Sequence, residues 1–126
     1  MTFEEFKSKG GKFLPQVTIN KAGGFGISSG MHRRYDIDRY TGVKLYFDKD
    51  RNWIGIKMIT EELDGMFTLK KRPNQKGAFF AAKSFLQAYS INPKEYFGRY
   101  EPVEVNEPNV GDLFVIDLGA KNKKTP

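Results

Sequence analysis

The sequence predicts an α+β fold, mostly antiparallel β-sheet with one main amphipathic helix. Three observations carry that prediction. Short segments in the middle of the chain alternate apolar and polar residues, as half-buried strands do. Turn-forming Gly, Asp, Asn and Pro separate these segments. The apolar period becomes helical in one sustained stretch, after Gly77, where Ala81, Ala82, Phe85, Leu86 and Tyr89 recur at the 3.6-residue spacing. The 126 residues suit one domain, expected over 1–118, with residues 119–126 a basic mobile tail.

The elements follow in order. Thr2 and Glu5 form a capping-box pattern before Phe3 and Phe6, predicting a short helix over 3–9 that Gly10-Gly11 stops. Gln16 to Asn20 alternates and reads as a strand, turned by Lys21-Ala22-Gly23-Gly24 into a shorter apolar stretch around Phe25 and Ile27. Ser28-Ser29 supply hydroxyl caps for a brief helix over 30–35. Val43, Leu45 and Phe47 are expected to face Ile54, Ile56 and Met58 across a hairpin turned by Asp48 to Asn52. Met66 to Lys70 predicts a further strand, ending in a basic turn from Lys71 to Gly77. The main helix spans about 81–90, broken by Asn92-Pro93, and two closing strands run from Tyr100 to Val105 and from Leu113 to Leu118.

Much chemistry is missing from the composition. There is no Cys and one His, so a thiolate nucleophile, a Cys-type zinc site and a catalytic triad have no residues to use. Gly23-Gly24-Phe25-Gly26 lacks the third glycine of a dinucleotide-binding loop. Asp48, Asp50 and Asn52 copy the start of a calcium loop, but Trp53 and Ile59 stand where that loop needs Gly and Glu. The expectation is therefore a non-enzymatic protein with no metal, no cofactor and no evident small-molecule substrate. The first residues lack the apolar stretch of a signal peptide and no run is long enough to cross a bilayer, so a cytoplasmic protein without a membrane partner is expected.

Charge is what remains informative. Lys and Arg number 21 against 15 Asp and Glu, a net +6. Residues 1–60 hold 11 basic against 6 acidic side chains, whereas residues 61–126 hold 10 against 9. Lys21, His32, Arg33, Arg34 and Arg39 lie in the basic half and are candidates to meet phosphates by charge-assisted hydrogen bonds. The alternative is that Arg33 and Arg34 are the solvent face of a small helix whose Met31 and Tyr35 are core. Tyr46, Trp53 and Phe79 are candidates for stacking on bases, since alternation puts Tyr46 and Trp53 opposite the Leu45/Ile54 face. A sheet covered on both sides would explain the same aromatics.

Gly23, Ile27, Met31, Arg33, Tyr35 and Ile37, followed by Val43, Leu45, Ile54 and Ile56, give residues 17–59 a resemblance to the AbrB/SpoVT-type swapped-hairpin DNA-binding module. The resemblance implies two interlocked chains, with Arg33, Arg34 and nearby Lys21 against DNA. Ser28 stands where that family commonly has Pro, and Gly24 where it favours Arg or Lys. The order of strands, Lys76-Gly77 turn and helix is also similar to the positive-cofactor (PC4-like) single-strand-binding proteins. The expected function is a small basic nucleic-acid-binding protein, a homo-oligomer with a dimer favoured and DNA the favoured partner, in the manner of a regulator. A protein-interaction or assembly subunit is the alternative.

Overall fold

The computed structural model describes residues 14–71 and 77–120, and these form an α+β fold built on two five-stranded antiparallel sheets. The predicted helix over 3–9, most of the basic Lys71–Gly77 turn and nearly all of the tail lie outside the described residues. The first sheet holds β1 (Val17–Ile19), β2 (Gly24–Ile27), β6 (Lys70–Lys71), β7 (Ala78–Ala81) and β8 (Gly98–Tyr100), in the order β6-β7-β2-β1-β8. The second holds β3 (Gly42–Asp48), β4 (Trp53–Ile59), β5 (Phe67–Thr68), β9 (Val103–Glu107) and β10 (Gly111–Asp117), in the order β5-β3-β4-β10-β9. Helices α1 (Ser29–Arg34), α2 (Lys83–Ala88) and α3 (Pro93–Tyr96) are short.

Alternation decides what each sheet buries. Val17, Ile19, Phe25, Ile27 and Phe80 from the first sheet join Val43, Ile54, Ile56 and Ile116 from the second in one apolar core. Phe25 and Phe80 are direct cross-strand partners whose rings stack with centroids 5.0 Å apart, a pairing worth about 0.5–1.5 kcal/mol beyond its buried area. In the β3–β4 hairpin, Val43, Leu45 and Phe47 pair with Met58, Ile56 and Ile54, the expected faces. Its turn closes as the sequence anticipates: Asp48 Oδ1 accepts from the Asp50 and Arg51 amides, and Asn52 takes the left-handed conformation at φ 61°. The strands flanking both hairpins come from the same chain: β7 and β8 border β2 and β1, and β10 borders β4.

Four elements differ from expectation, and one is the closing strand expected from Tyr100 to Val105, which is divided between β8 in the first sheet and β9 in the second. The strand predicted from Met66 to Lys70 is two short strands in different sheets. Leu69, buried between them, donates its amide to Thr41 O at 3.0 Å and turns the chain from the second sheet into the first. The main helix is shorter than 81–90 because residues 78–81 pair with β2 through four residue pairs, from Gly24↔Ala81 to Ile27↔Ala78. Tertiary pairing there outweighs a local helical pattern. Asn92-Pro93 does not end α2, which stops at Ala88 where Ser90 takes a left-handed φ of 56° and the Ile91 amide donates to Leu86 O at 2.8 Å. It starts α3, with Asn92 Oδ1 accepting from the Lys94 amide and Pro93 at the first helical position.

Tyr100 closes one edge of the core. Its ring is buried and its hydroxyl donates to Tyr96 O at 2.5 Å. Burial first, and the neighbouring Tyr96 phenol second, push its pKa up to about 12 from an ordinary 10.0. The folded state therefore keeps a proton that the unfolded chain releases. Tyr100 adds stability that is fully present below pH 10 and is lost between about pH 10 and 12. Urea titrations across that range are expected to show wild-type stability falling more steeply with pH than that of Tyr100→Phe.

Candidate nucleic-acid interface

Of the candidate phosphate ligands, His32 is corrected by its surroundings. Its side chain is 1% exposed, and both ring nitrogens are used inside the protein. The Gly77 amide donates to Nδ1 at 2.8 Å, so the other nitrogen carries the proton and Nε2–H donates to Asp38 Oδ1 at 2.9 Å. Adjacent residues on a helix point about 100° apart. On α1 that difference sends Met31 and His32 inward while Arg33 and Arg34 face solvent. Capping positions α1: Ser28 Oγ accepts from the Met31 and Gln16 amides and donates to Leu14 O.

Lys21, Arg33, Arg34 and Arg39 are all exposed, but they do not gather at one place. Lys21 occupies the β1–β2 turn, its Nζ 4.6 Å from the Phe97 ring centroid. Arg33 and Arg34 follow the opposite end of β2, on α1. Arg39 lies over Tyr40, its guanidinium carbon 4.9 Å from the ring centroid and Nη2 donating to the Tyr40 hydroxyl at 2.8 Å. The cleft beside Arg39 also holds Glu104 and Asp112. There Tyr35 donates its hydroxyl to Glu104 Oε1 at 3.0 Å, and its pKa is raised by burial and then by that hydrogen bond.

The stacking candidates fall on two surfaces. Tyr46 and Trp53 share the outer face of the second sheet, opposite Leu45 and Ile54 as expected. With Gly55, Val105 and Leu113 they line a cleft of about 520 Å³. A Cβ on Gly55 would stand 3.0 Å from Leu113 Cδ1, so glycine is what lets Leu113 close over the strand. Arg51 covers Trp53 at 4.8 Å, but Asp48, Asp50 and Glu107 outnumber Lys49 and Arg51 around this cleft.

Phe79 stands on the outer face of the first sheet, 40% exposed. Register places it in a row that crosses all five strands: Lys70 pairs with Phe79, Phe79 with Gly26, Gly26 with Thr18, and Thr18 with Arg99. At ~4.8 Å between strands the row spans roughly 19 Å. Lys70 and Arg99 were not candidates from sequence, since nothing local connects two residues that only strand order brings to one face. Among the described residues, neither side chain makes an ion pair.

Charge divides between the sheets. The strands of the first carry Lys70, Lys71 and Arg99 and no carboxylate. Those of the second carry Lys44 and Lys57 against Asp48, Glu104, Glu107, Asp112 and Asp117. Lys71 is turned inward, its Nζ donating to Asp38 O and Tyr40 O, which leaves Lys70 and Arg99 as the free cations of the outer row. Among the described residues no group of three metal-ligating side chains occurs, and no helix is long and apolar enough to cross a membrane. No protein-family model matches the chain, and neither do curated proteins or solved structures.

His32 supports this surface from within, since its Nδ1 anchors Gly77 at the start of β7. Replacing it with Ala leaves a cavity and strands the Gly77 amide, so His32→Ala is expected to destabilise the fold by about 2–4 kcal/mol. The shift in urea midpoint measures this.

Proposed function

We propose that the protein binds a nucleic acid, with the outer face of the first sheet turned toward the phosphates. The observation that carries this reading is the absence of carboxylates from the strands of that sheet, combined with Lys70 and Arg99 at the two ends of the row through Phe79. Phosphate contacts draw their strength from released counterions and need cations that no acidic neighbour neutralises. Lys21 at one end of β2, and Arg33 and Arg34 beyond the other, extend the same positive field. DNA is the first partner to test, because the resemblance over residues 17–59 is to a DNA-binding module.

A salt titration with labelled oligonucleotides tests the reading. Affinity is expected to fall steeply as salt rises. The double reversal Lys70→Glu with Arg99→Glu is expected to weaken binding at low salt by about tenfold or more. It should also reduce the salt slope by roughly 0.7–0.9 for each phosphate that is no longer neutralised. Lys49→Glu, in the β3–β4 turn of the other sheet, should bind as wild type does. Absence of binding at low salt, or equal weakening by both variants, contradicts the proposal.

A second reading rests on the other face. Val103 is 59% exposed on the strand that borders the Tyr46–Trp53 cleft, and it pairs with Val115. An apolar sheet face of this kind suits a protein partner, including a second copy of the chain. Mass in solution for wild type and Val103→Glu distinguishes a homodimer through this face from a monomer.

A further inference from the structure

Resting on that reading, we infer that the first sheet takes single-stranded rather than duplex nucleic acid, and seats an unstacked base against Phe79 over the backbone of Gly26. A glycine inside a strand weakens it and needs a cause: a left-handed conformation, a bulge, a crowded neighbour, or the close approach of something else. Gly26 has none of the first three. Its φ is not positive, and its pairings to both neighbours run on without a bulge, Thr18↔Gly26 on one side and Gly26↔Phe79 on the other. Among the described residues, the one atom within 4 Å of where its Cβ would stand is Thr18 Cβ, at an ordinary 3.8 Å. Gly55, by contrast, is filled by Leu113, and Gly24 is crowded by Asn20 Nδ2 at 2.8 Å.

Among the described residues there is therefore room for a side chain at Gly26, which lies in a depression of about 310 Å³ lined by Thr18, Gly26, Ser28, Ala78 and Phe79 among others. That volume lies at the low end for small-ligand sites, and the depression sits between the cations at the two ends of the row. A planar aromatic group with a phosphate on either side matches this arrangement in shape and charge. Bases in a duplex already use both faces for stacking, whereas those of a single strand offer a free face to an aromatic side chain. The face of a five-stranded sheet also presents neither the helix nor the narrow ribbon that enters a major groove.

The test measures fluorescence polarisation of a labelled oligothymidylate, an oligouridylate and a duplex of equal length. The variants are Gly26→Val, Phe79→Ala, Phe79→Trp and the Lys70/Arg99 reversal. Wild type is expected to prefer the single strands to the duplex by at least about tenfold. Phe79→Ala should weaken single-strand binding about tenfold, the size of one base-stacking interaction, and Phe79→Trp should retain binding. Gly26→Val should match the wild-type melting temperature, because a β-branched residue suits the strand, yet weaken single-strand binding comparably. Should Gly26→Val fail to fold, the Phe79 pair decides alone. The oligothymidylate and oligouridylate arms separate DNA from RNA as the source of the base. Equal affinity for duplex, or Phe79→Ala and Gly26→Val binding as wild type while the charge reversal abolishes binding, overturns this inference and leaves the phosphate reading intact. No binding to any oligonucleotide overturns both.

Discussion

A strand has two faces and can give one of them to a core. Here both sheets give that face to the same interior, where Phe25 and Phe80 stack and Ile54, Ile56 and Ile116 join them from the second sheet. That shared core is the constraint on which the surface depends. It turns Thr18, Gly26, Phe79 and Arg99 outward as a set, because Val17, Ile27, Phe80 and Tyr100 must point in. The outer surfaces of the two sheets then differ by composition alone, one free of carboxylates in its strands and the other carrying Asp48, Glu107 and Asp117.

A small polar network sets the point where the chain changes sheets. His32 joins the start of β7 to Asp38 through its two ring nitrogens, and Lys71 reaches the Asp38 and Tyr40 carbonyls from the adjoining strand. Buried polar groups hold a geometry firmly when every member has a partner, and no buried side-chain nitrogen or oxygen among the described residues lacks one. The network fixes where β6 and β7 enter the first sheet, and with them Lys70 and Phe79. The lone histidine thus contributes to the candidate interface as a support beneath it.

What could be read from the sequence was what depends on near neighbours. The β3–β4 hairpin, its Asp48-capped turn and the Ser28 cap all rest on interactions within a few residues, and all were legible. Ala78-Phe79-Phe80-Ala81 was not, because an apolar run without polar alternation reads equally well as the start of a helix. The outer row was illegible for a different reason. Its members come from five strands, and strand order is decided by packing across the whole core. Charge counted along the chain pointed to residues 21–39, whereas charge counted by sheet adds Lys70 and Arg99 and sets Arg39 beside Glu104 and Asp112.

A polyanion that meets one sheet should leave the other untouched. Amide chemical-shift mapping of isotopically labelled protein, titrated with a short single-stranded oligonucleotide at low salt, tests this most directly. Shifts are predicted to concentrate at Thr18, Gly26, Phe79 and Arg99, leaving Tyr46, Trp53 and Gly55 unmoved. Shifts confined to the second sheet, or none anywhere, would contradict it.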